Sequence, residues 1–175
     1  MDNKPFEATL RMFDAHVNLL EILHGQPTLA TVSAFSGGFY SGRPQTHDHS
    51  NLLGMRPKGQ GITAAALTLQ FRPAAGGYNL VIKNTGKHHD KFISQSWLEV
   101  FGAKGPDTKD PTVFTLLDHQ NRTITRENIT AAHLPVSLRT QNNHYIGALK
   151  VRGSPYLYLA ETEEKSKITF ILSLL

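Results

Sequence analysis

The chain has 175 residues, no cysteine and a formal net charge of +4, with 39% hydrophobic and 18% charged residues. A single domain of that length buries roughly 70% of its unfolded surface, so its core needs no covalent staple. The lack of cysteine excludes disulfides, thiolate metal ligands and cysteine nucleophiles.

The sequence pI is about 9.4, which allows weak attraction to polyanions. The basic residues are nevertheless scattered, among them Arg43, Arg56, Lys83, Lys104, Arg122 and Arg139, and no Lys/Arg block or aromatic-basic signature occurs. Nucleic-acid binding is therefore not expected. The opening MDNKPFEATLRMFDAH has acidic residues early and no apolar core, so no signal peptide is expected and a cytoplasmic protein is. No apolar run approaches the length of a membrane span, about 18 residues.

Along residues 5–24, Phe6, Leu10, Phe13, Val17 and Leu20 recur at three- and four-residue steps, with Leu19 and Leu23 beside them. Pro5 suits a first helical position and Gly25 the residue just past an end. The spacing predicts a helix over 5–24, and an N-terminal helical segment over 1–27. A rival reading is a pair of strands broken near Asp14; the length of the pattern favours the helix.

From Pro27 onward short β-rich words alternate with Gly, Pro, Asn and Asp clusters: TLATVSAF, NLLGM, ALTLQF, YNLVIK, KFIS, WLEVF, TVFTLL, PVSLRT, HYIGAL, YLYLA and ITFILSLL. This is an all-β signal with no helical pattern between strands. Three aromatic words, around Phe39, Phe92 and Tyr145, are evenly spaced along the chain. Each follows a strand and a polar turn, and each unit closes on a phenylalanine strand, with Phe71, Phe114 and Phe170. Four strands repeated three times predict a β-trefoil over residues 28–175, in which no single unit can bury its apolar face alone. A sandwich or jelly roll is the alternative.

The third unit, VSLRTQNNHYIGALKV with YLYLAETEEKSKITFIL, resembles one lobe of a fascin-type or amaranthin-type agglutinin trefoil. The middle unit, LVIKNTGKHHDKFISQSW through TVFTLL, is similar, and the first matches in GGFYSG and LTLQF. The resemblance covers about residues 28–175 and rests on pattern. It implies a binding scaffold: fascin-like domains bundle actin, and amaranthin-type agglutinins bind galactose-type sugars. The repeated Gln-x-Trp of ricin-type lectins is missing, since Gln95-Ser-Trp97 occurs once.

The densest polar cluster is Thr46-His47-Asp48-His49-Ser50-Asn51. Two histidines two apart on an extended segment share a side, a geometry that can chelate a metal, but a third ligand would have to come from His88 or His89. The same loop supplies donors and acceptors suited to sugar hydroxyls. Trp97 is either a stacking face or core filler. Asn142-Asn143-His144 is a turn by composition. Lys87-His88-His89-Asp90 reads as a solvated hairpin tip. No pair of convergent acids, nucleophile elbow or phosphate loop is present.

The expected function is a non-enzymatic binding protein, most directly a carbohydrate-binding lectin, with Asp48, His49, Asn51, Trp97, Asn142 and His144 as ligand contacts. No catalytic residue, metal or cofactor is expected. The partner is a glycan or a protein, and homo-oligomers are compatible with the sequence. The alternatives are a cytoskeletal or hydrolase-inhibitory module that inserts GAKGPDTKDP (102–111) into its partner, or a structural subunit of an assembly.

Overall fold

The structure is a computed structural model that describes residues 4–32, 35–36, 39–40, 44–59 and 65–175, without the side chains of 35, 36, 39 and 40. The strands are β1 (Phe6–Arg11), β2 (Ala15–Leu19), β3 (Leu29–Val32), β4 (Phe35–Ser36), β5 (Phe39–Tyr40), β6 (Gln45–Asp48), β7 (Leu53–Pro57), β8 (Leu67–Ala74) and β9 (Gly77–Ile82). Then follow β10 (Phe92–Trp97), β11 (Val100–Lys104), β12 (Phe114–Leu117), β13 (Thr123–Ile124), β14 (His133–Thr140), β15 (Tyr145–Lys150), β16 (Leu157–Thr162) and β17 (Phe170–Leu174). The α-helix α1 (Leu20–His24) is little more than one turn, and single 3-10 turns occur at Arg126–Asn128 and Glu164–Ser166.

Nine antiparallel strands close into a barrel, in the order β1, β8, β9, β10, β11, β16, β15, β14, β17 and back to β1. Strand β12 shortens the circuit by pairing with β14 and, through Phe114 opposite Tyr78, with β9. The β2–β7 hairpin joins the wall where β7 pairs with β16. Closure leaves few unpaired strand edges, the liability of any open sheet.

This architecture corrects the expected β-trefoil of three four-strand repeats behind an N-terminal helix. Residues 6–11 are strand β1 of the wall, paired with β17 on one side and β8 on the other, and residues 15–19 are strand β2 of the β2–β7 hairpin. Inward Phe6, Ala8 and Leu10 alternate with outward Glu7 and Arg11, a period of two that only a strand can use. Phe13, counted into a helical stripe, is 85% exposed in the turn between β1 and β2. The repeat also loses its first member. Phe92 and Tyr145 open β10 and β15, but the word around Phe39 belongs to the excursion between β2 and β7, where its side chain lies outside the described residues.

The main core fills the barrel with alternate residues from its strands: Leu67, Leu69 and Phe71 of β8, Leu116 of β12, Leu138 of β14 and Leu172 of β17. A second apolar cluster sits at the β7–β11–β16 end. There Leu20 and Leu23 of α1 pack with Leu52, Val100, Tyr158 and Ala160, and Trp97 and Tyr156 flank them. Gly25, in the left-handed region at φ 67°, ends α1 as its position after His24 suggests. The excursion is thereby pinned to the barrel, and this end is where the polar cluster of residues 46–51 lands.

Candidate functional site

Strands β3 and β6 form a hairpin, with Leu29 opposite Asp48 and Ala30 opposite His47. Beyond it the chain reverses on Asp48. The Asp48 carboxylate accepts hydrogen bonds from the Ser50 amide at 3.0 Å and the Ser50 hydroxyl at 2.5 Å. Both bonds favour the ionised form and hold its pKa below the usual aspartate range. The Ser50 hydroxyl also accepts the Thr28 amide at 3.0 Å, and the His49 amide donates to the Thr28 carbonyl at 2.8 Å. This local bonding turns His49 inward, to 2% exposure, while Asp48 stays on the surface.

Inside, His49 Nδ1 lies 2.6 Å from the Tyr158 hydroxyl, which in turn lies 2.6 Å from Ser154 Oγ. Burial pushes the Tyr158 phenol up, so it remains protonated and available to this chain of bonds. The Trp97 ring covers the imidazole at 4.3 Å between centroids, and the His47 ring lies 6.0 Å from His49 and 6.4 Å from Trp97. Trp97 reaches this place through an irregularity: the β10–β11 register shifts between Gln95 and Trp97, a bulge that re-aims the side chain. The tryptophan ends partly buried, packed on His49 and near Tyr158 at 6.0 Å, with a minor share of its surface exposed. Gln95 Nε2 donates to the Leu98 carbonyl at 3.2 Å and steadies the turn that follows.

Burial pulls the His49 pKa down, the His47 charge adds to that, and Asp48 only partly opposes it. His49 Nε2 is buried without a hydrogen-bond partner among the described residues, which favours the uncharged ring further. The unfolded histidine takes up its proton near 6.5, whereas the folded one does so only at lower pH. Stability is thus full above about pH 6.5 and falls below it, because the unfolded state binds more protons. His24, lowered by burial and by Arg56, contributes with the same sign. Asp48 acts only lower, where its stabilisation is lost as pH falls through its depressed value. Urea midpoints measured between about pH 7.5 and pH 5.5 should decline in the parent protein and decline less steeply in His49→Gln; an identical slope would refute the buried neutral imidazole.

The six residues expected as ligand contacts fall into two groups. Asp48, His49, Asn51 and Trp97 belong to one end of the barrel; Asn51 is exposed there and its carbonyl accepts from the Ala103 amide at 2.9 Å. His49 is part of the support beneath the surface and is not itself exposed to a ligand. Asn142 and His144 lie in the β14–β15 turn. The Asn142 amide donates to Thr140 Oγ1 at 3.3 Å, and His144 Nδ1 lies 3.0 Å from Glu161 Oε2, so turn chemistry and a contact to a carboxylate engage them.

Two further stretches differ from their sequence reading. His88 is 7% exposed, not a solvated tip, and Nε2 meets Glu21 Oε1 at 2.6 Å while Lys87 reaches the other oxygen at 3.0 Å. Within 102–111, Gly102 and Ala103 are buried strand residues and only the turn from Gly105, closed by the Thr108 hydroxyl on its carbonyl at 2.6 Å, projects outward. Sequence reasoning passed over Tyr158 and Ser154. The usable signal was the alternation of YLYLA, which buries one tyrosine, together with the need of a buried phenol for a partner.

Among the described residues no group of three or more His, Asp or Glu converges as metal ligands, and no helix is long and apolar enough to cross a membrane. No family model, curated protein or solved structure matches this chain.

Proposed function

We propose that this protein is a non-enzymatic carbohydrate-binding protein in which a sugar ring lies against the open part of Trp97. What carries the reading is the mounting of that tryptophan. A partly exposed indole is held from behind by a buried imidazole, which a Tyr158–Ser154 hydroxyl pair fixes in turn. A ligand that meets a pre-positioned ring loses less in ordering it. The flanking groups suit polyols: Asp48 is ionised and exposed and accepts hydroxyl protons, and His47 and Asn51 offer both donors and acceptors.

A glycan array tests the proposal. Binding by the parent protein with at least tenfold weaker binding by Trp97→Ala, about 1.4 kcal/mol, is the expected result. Circular dichroism on the variant checks that the fold persists. Silence across the array, or full binding by Trp97→Ala, overturns the sugar reading.

A further inference from the structure

Beside the Trp97 surface a cleft of about 510 Å³ opens between α1, β7 and the β15–β16 connection. Two cationic side chains and a histidine line it: Arg56 from β7, Lys150 from the end of β15 and His24 from the last turn of α1. No aspartate or glutamate lines it among the described residues. Neither Arg56 nor Lys150 forms a salt bridge among those residues.

Arg56 is nevertheless positioned. Its Nη1 donates to the Leu23 carbonyl at 2.9 Å, one of the carbonyls that the end of a short helix leaves unpaired. That bond fixes the guanidinium plane and leaves its other N–H donors without a partner among the described residues. His24 is set edge-on against Tyr156, with ring centroids 4.9 Å apart. Burial and the neighbouring Arg56 both pull the His24 pKa down, as expected where positive charge gathers without a counter-charge. The wall between them is also ordered: Ser154 Oγ accepts the Tyr156 amide at 3.2 Å and bonds the Tyr158 hydroxyl.

Like charges gathered in one concavity repel, and the arrangement is relieved by an anion that all of them can reach. A guanidinium fork beside an ammonium group fits a tetrahedral oxyanion, the fork supplying two directed bonds and the ammonium a point charge. We propose that this cleft is a binding site for a phosphate or sulfate monoester, with Arg56 and Lys150 holding the oxyanion and His24 closing on it from α1. The site stands apart from the sugar reading, since it does not use Trp97. The two surfaces do meet at Ser154, whose hydroxyl links the cleft wall to Tyr158 and so to His49.

The test is isothermal titration of the whole chain with inorganic phosphate, inorganic sulfate, glucose 6-phosphate and glucose. Saturable binding of at least one anion, no binding of glucose at the cleft, and at least tenfold loss in both Arg56→Gln and Lys150→Gln is the expected pattern. The phosphate and sulfate arms tell which ester is preferred. Lys150 is exposed at a strand end, so Lys150→Gln tests the site even where Arg56→Gln, which also gives up the bond to Leu23, weakens the fold. Absence of saturable binding of either anion, or unchanged affinity in Lys150→Gln, overturns the proposal. Trp97→Ala is expected to leave anion binding intact, which separates this site from the sugar surface; loss of anion binding in that variant overturns the assignment to this cleft.

Discussion

Gly77→Ala is expected to lower stability by about 3 kcal/mol or more, toward the severe end for overpacking. A Cβ added at Gly77 would stand 2.2 Å from the Phe114 carbonyl oxygen and 2.9 Å from its carbon. Both are backbone atoms of β12, so no side chain can swing aside. Relief requires β9 and β12 to part, and the pairing of Tyr78 with Phe114 is where β12 is tied across the barrel. The adjacent glycine is a built-in control. Gly76 has φ +87°, and a methyl group added there would have nothing within 4 Å, so Gly76→Ala meets only backbone strain, about 1–2 kcal/mol. Urea denaturation of the pair should place the Gly77→Ala midpoint well below that of Gly76→Ala. Equal midpoints would mean that the close approach of β9 and β12 does not exist.

Phe71→Ala is expected to cost about 3–5 kcal/mol, the range for removing a fully buried phenylalanine whose site cannot collapse. Phe71 is completely buried and sits directly opposite Phe6 in the β1–β8 register and opposite Leu80 in the β8–β9 register. Its ring stacks on Phe6 at 4.7 Å with 2° between planes, and Tyr78 meets both rings edge-on at 5.5 and 6.0 Å. The Tyr78 hydroxyl is itself fixed by the Arg126 amide at 3.2 Å. Three strands therefore hold the walls of the vacated space in place, and the void stays open. Phe71→Leu keeps most of the volume and should lose about 1.5 kcal/mol. Thermal or urea unfolding reads the two values; a Phe71→Ala loss no larger than that of Phe71→Leu would contradict the packing described.

How far the sequence reveals this molecule depends on where the determining contacts lie. LTLQF and YNLVI disclose β8 and β9, because alternation writes the inward face directly into neighbouring residues. The final ITFIL likewise becomes β17. The N-terminus misleads because Leu10, Phe13, Val17 and Leu20 straddle two strands, a turn and the start of α1, and their spacing imitates one long helical stripe. The better signal was quieter: Ala8 and Ala15 are buried alternation partners, and alanine weighs little in any hydrophobic count. The even spacing of Phe39, Phe92 and Tyr145 suggested symmetry, yet the first of these lies in the excursion between β2 and β7, while the other two open strands of the barrel wall. At the candidate site, Trp97 and the turn at Asp48 were both legible as unusual. Their meeting was not, since it depends on a one-residue bulge in β10 and on residues distant in sequence folding onto the same barrel end. The basic cleft was equally hidden, because His24, Arg56 and Lys150 come from three separate elements and form no cluster in the chain.

The excursion over residues 20–52 leaves and rejoins the wall at adjacent points, for Leu19 and Leu53 face each other in the β2–β7 register. Its length is thus thermodynamically almost free, since loop closure depends only weakly on the number of residues spanned. His24, His47, Asp48 and His49 all travel on it, whereas Arg56, Trp97, Lys150 and Tyr158 stay behind on the scaffold. On the proposed reading, the recognition surface is split like a cassette in a socket: exchanging the exposed part of the cassette would rewrite what is gripped, provided the replacement keeps Leu20 and Leu23, the studs that seat it on the staves.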